Sequence, residues 1–110
     1  EPSFVGGVVD DMVAVPDAAS IATARWVSEL LNRPVGGSTG TNVWAALQYA
    51  EAMRAAGETG SIVTLLCDGG ERYVNTYFDD AWLAGRDIDI APYVESLERF
   101  AAGAPFAPPP

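Results

Sequence analysis

The segment Gly36-Gly37-Ser38-Thr39-Gly40-Thr41-Asn42 lies between two stretches of helical periodicity and constrains the fold more than any other part of the chain. Before it, Asn32-Arg33-Pro34 stops a helix, because proline pushes the preceding residue out of the α region. After it, Val43, Ala46, Leu47, Ala50 and Met53 recur at helical spacing. The chain must therefore turn sharply and start again as a helix. A glycine turn that opens a helix can approach a ligand closely, since glycine has no side chain in the way. The free N–H groups and the positive helix end favour electron-rich groups. The same residues also suit a plain β–α connection in which Ser38, Thr39 or Thr41 caps the helix. The turn matches neither a dinucleotide G-x-G-x-x-G fingerprint nor a P-loop, which needs a lysine.

The rest of the chain reads as helices and strands in alternation. Val13-Ala14-Val15 suits a short strand, and Asp17 after Pro16 suits an N-cap. A helix follows to about Leu31, with Ile21, Ala24, Val27 or Ser28, and Leu31 on one face. Val35-Gly36 is a short extended piece. The second helix runs from about Thr41 to Ala56 and stops at Gly57. Ser61-Ile62-Val63-Thr64-Leu65-Leu66-Cys67 is β-rich and almost continuously apolar, as expected of a strand covered on both faces in a parallel sheet. Asp68-Gly69-Gly70 forms a turn at its end. Glu71 to about Gly85 reads as one or two short helices around Tyr73, Tyr77, Phe78 and Trp82. Ile90 to Ala102 gives a last amphipathic helix. Residues 103–110 form a proline-rich tail, expected to be extended and mobile. The order is that of an α/β protein.

Composition narrows the function. With 110 residues the chain makes at most one compact domain, and 49% apolar residues are enough to build a core. Acidic residues outnumber basic ones 15 to 6, for a net charge of −9. All the basic residues are arginines (Arg25, Arg33, Arg54, Arg72, Arg86 and Arg99), and they are scattered. Nucleic acid and anionic membranes are therefore excluded as partners. No run approaches the ~18 apolar residues of a membrane-spanning helix, and no signal peptide pattern is present. The single cysteine, Cys67, rules out a disulfide framework and fits a reducing, cytoplasmic setting. The opening Glu1-Pro2-Ser3-Phe4 lacks a methionine, as expected of a stretch from inside a longer protein.

Few residues can do chemistry. Without histidine no Ser-His-Asp triad forms, and Cys67 has no histidine base, so it reads as a small buried residue. Asp10-Asp11 and Asp79-Asp80 lack metal-site spacing. Asp68 stands where open α/β sheets place ligands, beyond the carboxyl end of a strand. It serves equally as a turn residue, with Glu71 and Arg72 facing solvent.

Taken together, three segments resemble the cysteine synthase family of pyridoxal-phosphate enzymes, which have the tryptophan-synthase β-type fold. They are the helix Asp17-Ala18-Ala19-Ser20 through Arg25, the turn Gly36-Gly37-Ser38-Thr39-Gly40, and Leu65-Leu66-Cys67-Asp68-Gly69-Gly70-Glu71-Arg72-Tyr73. They follow the family's order and spacing over roughly residues 1 to 85. The resemblance implies that residues 1–102 are the C-terminal portion of a pyridoxal-phosphate-binding α/β domain of fold-type II, with helices around a parallel sheet. It implies that Ser38 hydrogen-bonds the pyridine nitrogen of pyridoxal 5′-phosphate, with Asp68 near the same ring edge. It implies β-elimination or β-replacement on cysteine or O-activated serine, and a homodimer of the full enzyme. Ser38-Thr39-Gly40-Thr41 replaces the family's usual Ser-Ser-Gly-Ala, and Cys67-Asp68 replaces a usual Pro-Ser. These variants resemble the bacterial cysteine desulfhydrase branch. The family's cofactor-bearing lysine, asparagine loop and phosphate loop have no counterpart here. The resemblance therefore makes this chain inactive without an N-terminal part or a complementing chain. Two alternatives are a non-catalytic interaction module derived from the family and an unrelated nucleotide-binding domain. The latter lacks a phosphate loop.

Overall fold

In the computed structural model, residues 11–67 and 69–110 are described, apart from the side chain of Arg72. The order is α1 (Asp17–Leu31), α2 (Gly37–Ala55), a 3-10 turn (Glu71–Tyr73), α3 (Asp80–Gly85) and α4 (Ala91–Ala101). α1 is the central element and packs against both α2 and α4.

α1 can take two neighbours because its first half is small. Ala19, Ser20, Ala22, Thr23 and Ala24 are all buried. Two of its hydroxyls satisfy themselves within the helix: Thr23 Oγ1 donates to the Ala19 carbonyl at 2.7 Å and Ser28 Oγ to that of Ala24 at 2.6 Å. Asp17 is the first helical residue rather than the cap. Pro16 holds the cap position, with no side-chain bond, and its fixed φ suits the entry. Asn32 ends the helix in the left-handed region at φ 55°, and Arg33 N–H returns to the Ser28 carbonyl at 3.1 Å.

α2 begins at Gly37, four residues earlier than expected, so the glycine turn forms the first turn of the helix. None of its hydroxyls caps it; Gly36 holds the cap position without a side-chain bond. The buried face is also displaced from the expected aliphatic stripe. It comprises Thr39, Gly40 and Trp44, while Ala50 is exposed. At Gly40 the two helices touch backbone to backbone. A Cβ there would overlap the Ser20 carbonyl oxygen and lie 2.8 Å from the Ala24 nitrogen.

The main core joins Ala19, Ala22, Trp44, Leu97 and Phe106. Trp44 meets Tyr93 edge-on at 5.4 Å between centroids and Phe106 at 4.8 Å, and Phe100 meets Phe106 at 6.0 Å. The proline-rich tail is therefore anchored rather than mobile at its middle: Phe106 is only 3% exposed. A smaller cluster joins Ala24, Val27 and Val35.

The strands expected at 13–15 and 61–67 form no ladder among the described residues. The one pairing is an isolated antiparallel bridge between Val35 and Gly69. Residues 61–67 are exposed, Val63 at 90% and Leu65 at 69%, rather than covered on both faces. A strand needs a neighbouring strand to complete its hydrogen bonds, and the described helices pack on one another instead.

Gly40→Ala is expected to destabilise the protein by about 1–3 kcal/mol through overpacking of backbone on backbone. Phe106→Ala is expected to cost about 3–5 kcal/mol through lost burial and a cavity. Denaturant midpoints measure both, and a Phe106→Ala variant as stable as the parent would mean that the tail is not docked.

Candidate functional site

The N-terminal ends of α1 and α2, the 3-10 turn and the segment after it line a polar cleft of about 240 Å³. α1 contributes Asp17, Ser20 and Ile21; α2 contributes Gly37, Ser38 and Thr41; Tyr73 and Tyr77 form an aromatic wall. The two tyrosine rings stack at 4.7 Å with 9° between their planes. Tyr77 lies against the start of α2, where a Cβ on Gly37 would come within 2.9 Å of its Cε2. This glycine lets the edge of an aromatic ring approach the first helical turn closely.

Ser38 is exposed in this cleft, and among the described residues its hydroxyl has no hydrogen-bond partner. Its neighbours are committed elsewhere. Thr41 Oγ1 donates to the Gly37 carbonyl at 3.1 Å, which leaves Ser20 Oγ as the donor in the 2.6 Å contact between the two hydroxyls. Thr39, fully buried, accepts from the Cys67 N–H at 2.9 Å. Asn42 Nδ2 donates to the Leu65 carbonyl at 3.2 Å and contacts Cys67 Sγ at 3.5 Å. Gly70 N–H donates to the Pro34 carbonyl at 3.1 Å. The start of α2 is thereby joined to both 65–67 and 69–70.

Of the residues assigned to the cofactor from sequence, Ser38 occupies the cleft, and Asp68 lies outside the described residues. Cys67, expected to be buried, is exposed. Asp79 caps α3, accepting from the N–H groups of Ala81 and Trp82. Asp80 binds Arg25 Nη1 at 2.7 Å, while Arg25 Nε donates to the Tyr77 carbonyl at 2.7 Å. Sequence reasoning missed the tyrosine stack, the Arg25 brace and the bonds from Thr39 and Asn42. The three-residue spacing of Thr39 and Asn42, which puts both on one helical face, was the available signal.

A hydroxyl on a first helical turn with no partner among the described residues, beside two stacked tyrosine rings, suits the polar edge of a heteroaromatic ring. No lysine, histidine or thiol lines the cleft among the described residues. The chain is 55% identical over 100 residues to an L-cysteine desulfhydrase of Mycobacterium tuberculosis, covering 91% of this chain and 27% of that protein. It is 35% identical over 82 residues to cysteine synthase 2 of Emericella nidulans, covering 74% of this chain and 18% of that one. It is 34% identical over 76 residues to an N-(2-amino-2-carboxyethyl)-L-glutamate synthase of Cupriavidus metallidurans, covering 69% and 22%. The chain belongs to the cysteine synthase and cysteine desulfhydrase family. It spans between 18% and 27% of the length of these relatives. No family model and no solved structure matches it.

Arg25→Ala is expected to cost about 1–3 kcal/mol, because it strips the Tyr77 carbonyl of a charged donor. Asp80→Asn is expected to cost less than about 1 kcal/mol, since that carboxylate is 87% exposed. Equal losses in paired thermal melts would show that the ion pair, not the bond to Tyr77, matters.

Proposed function

We propose that this chain is part of the cofactor domain of a fold-type II pyridoxal-phosphate enzyme. The reaction is β-elimination or β-replacement on cysteine or O-activated serine, with cysteine desulfhydration favoured. The observation that carries this reading is the 55% identity over 100 residues to a protein named L-cysteine desulfhydrase. The exposed hydroxyl of Ser38, without a hydrogen-bond partner among the described residues, supports it.

Pyridoxal phosphate, when bound, supplies the electron sink that lets an amino acid lose its β-substituent. The Ser38 hydroxyl would hold the cofactor by donating a hydrogen bond to its pyridine nitrogen. As a neutral group it does not hold a proton on that nitrogen as a carboxylate would, so the sink stays moderate and β-chemistry is favoured. Tyr73 and Tyr77 form one side of the cleft. The six basic residues are all arginines, so the lysine that anchors the cofactor comes from outside these residues. Its source is an N-terminal part of the same enzyme or a complementing chain. In that assembly residues 61–67 join a parallel sheet, and Ile62, Val63, Leu65 and Leu66 become covered. The full enzyme is a cytoplasmic homodimer that takes a small amino-acid substrate.

The exposed apolar run at 62–66 also favours a second reading. In it the chain is a non-catalytic interaction module that keeps the helices and docks a protein partner without cofactor.

The purified chain, given pyridoxal phosphate and cysteine, is expected to release sulfide no faster than free cofactor does. Adding the lysine-bearing polypeptide restores release, and native mass spectrometry shows the cofactor mass on the complex. Enzymatic sulfide release by the chain alone would overturn the division of labour. A colourless complex lacking cofactor would favour the interaction module. In the active assembly, Ser38→Ala is expected to lower the rate roughly tenfold and to alter the pH dependence of the cofactor absorbance.

A further inference from the structure

The hydroxyl beside Ser38 in sequence points away from the cleft. Thr39 is fully buried, and its Oγ1 is the partner of the Cys67 N–H at 2.9 Å, bridging 28 positions of sequence. One helical turn on, Asn42 Nδ2 holds the Leu65 carbonyl at 3.2 Å. The end of the 61–67 segment is thus clipped to one face of α2 at two points, by a donor and by an acceptor. On the other side of the same turn, Gly40 presses on the Ser20 and Ala24 backbone, and Thr41 bonds Ser20. A helical turn held on two faces cannot rotate about its axis, and Ser38 lies on the face left over.

We propose that Thr39 and Asn42 are positioning residues for the Ser38 hydroxyl. They fix the rotation of the first turn of α2 by tying it to residues 65–67, and so aim Ser38 at the pyridine nitrogen of the bound cofactor. This inference rests on the proposed function. The family resemblance offers a serine at this place. Threonine keeps the accepting oxygen and adds a methyl group that packs in the buried site, restricting the side chain to fewer rotamers. Valine at 39 has nearly the same shape without the oxygen, so the Cys67 N–H loses its partner while packing is retained.

The test compares Thr39→Val, Thr39→Ser, Asn42→Ala and Ser38→Ala in the cofactor-loaded enzyme. Three quantities are read: affinity for pyridoxal 5′-phosphate, the pH dependence of its absorbance and fluorescence, and hydrogen exchange in the peptide covering 65–67. Thr39→Val is expected to speed exchange at 65–67, to weaken cofactor binding roughly 3- to 10-fold, and to shift the cofactor's pH dependence in the direction of Ser38→Ala. Thr39→Ser should retain parental values. Asn42→Ala removes a half-buried side chain whose acceptor, the Leu65 carbonyl, belongs to an exposed residue. It should give a smaller shift of the same sign and serves if Thr39→Val does not fold. Faster exchange with an unchanged cofactor signature would overturn the proposal and leave the clip purely structural. A shift on Ser38→Ala with none on Thr39→Val or Asn42→Ala overturns this inference alone. A protein that takes up no pyridoxal phosphate, or whose cofactor signature ignores Ser38→Ala, overturns the assignment of Ser38 and this inference with it.

Discussion

The backbone contact between α1 and α2 at Gly40 is the constraint on which the remaining geometry depends. No side chain separates the helices there, so the Ser20 carbonyl and Ala24 nitrogen lie directly against the α2 backbone. Side chains of ordinary size at 19–24 would hold the helices farther apart. The small residues of α1 let α2 approach on one face and α4 on another. Trp44, one turn beyond Gly40, then falls into the centre of the core and collects Tyr93 and Phe106 around it.

That approach also decides where the polar groups go. With α2 pressed on α1, Ser20 reaches Thr41, and the hydroxyls at the crossing bond one another or the backbone instead of water. A buried hydroxyl without a partner costs free energy comparable to a lost hydrogen bond, so these contacts fix the register of the crossing. Thr39 and Asn42 turn outward to the 65–67 segment, and Ser38 is left facing the cleft. Gly40 therefore owes its identity to helix packing. Gly37 owes its own to the close approach of the Tyr77 ring edge.

The legible parts of the chain were those with a local cause. Both ends of α1 follow from proline and asparagine chemistry at 16 and 32–34, and the structure places them at Asp17 and Leu31. α4 falls within a residue of its expected bounds because its apolar spacing is strongly periodic. Ser38 was legible as a site residue through motif resemblance, not through any property of a lone serine. The start and face of α2 were misread for one reason: glycines in a first helical turn look like a loop, and an aliphatic stripe outweighs one tryptophan in a count of periodic positions. The tail was misread because prolines dominate its composition, whereas Phe106 alone decides its position.

The sequence by itself determined the bounds of α1 and α4, the acidic composition without lysine or histidine, and the family. These depend on neighbours a few residues apart or on identity at matched positions. Only the tertiary structure decided which face of α2 is buried, that Phe106 closes the core, and that Thr39 and Ser38, adjacent in sequence, serve different faces. It also decided that residues 61–67 lie open to solvent. Each of these turns on contacts between groups far apart in the chain, where packing and hydrogen-bond satisfaction override local preference.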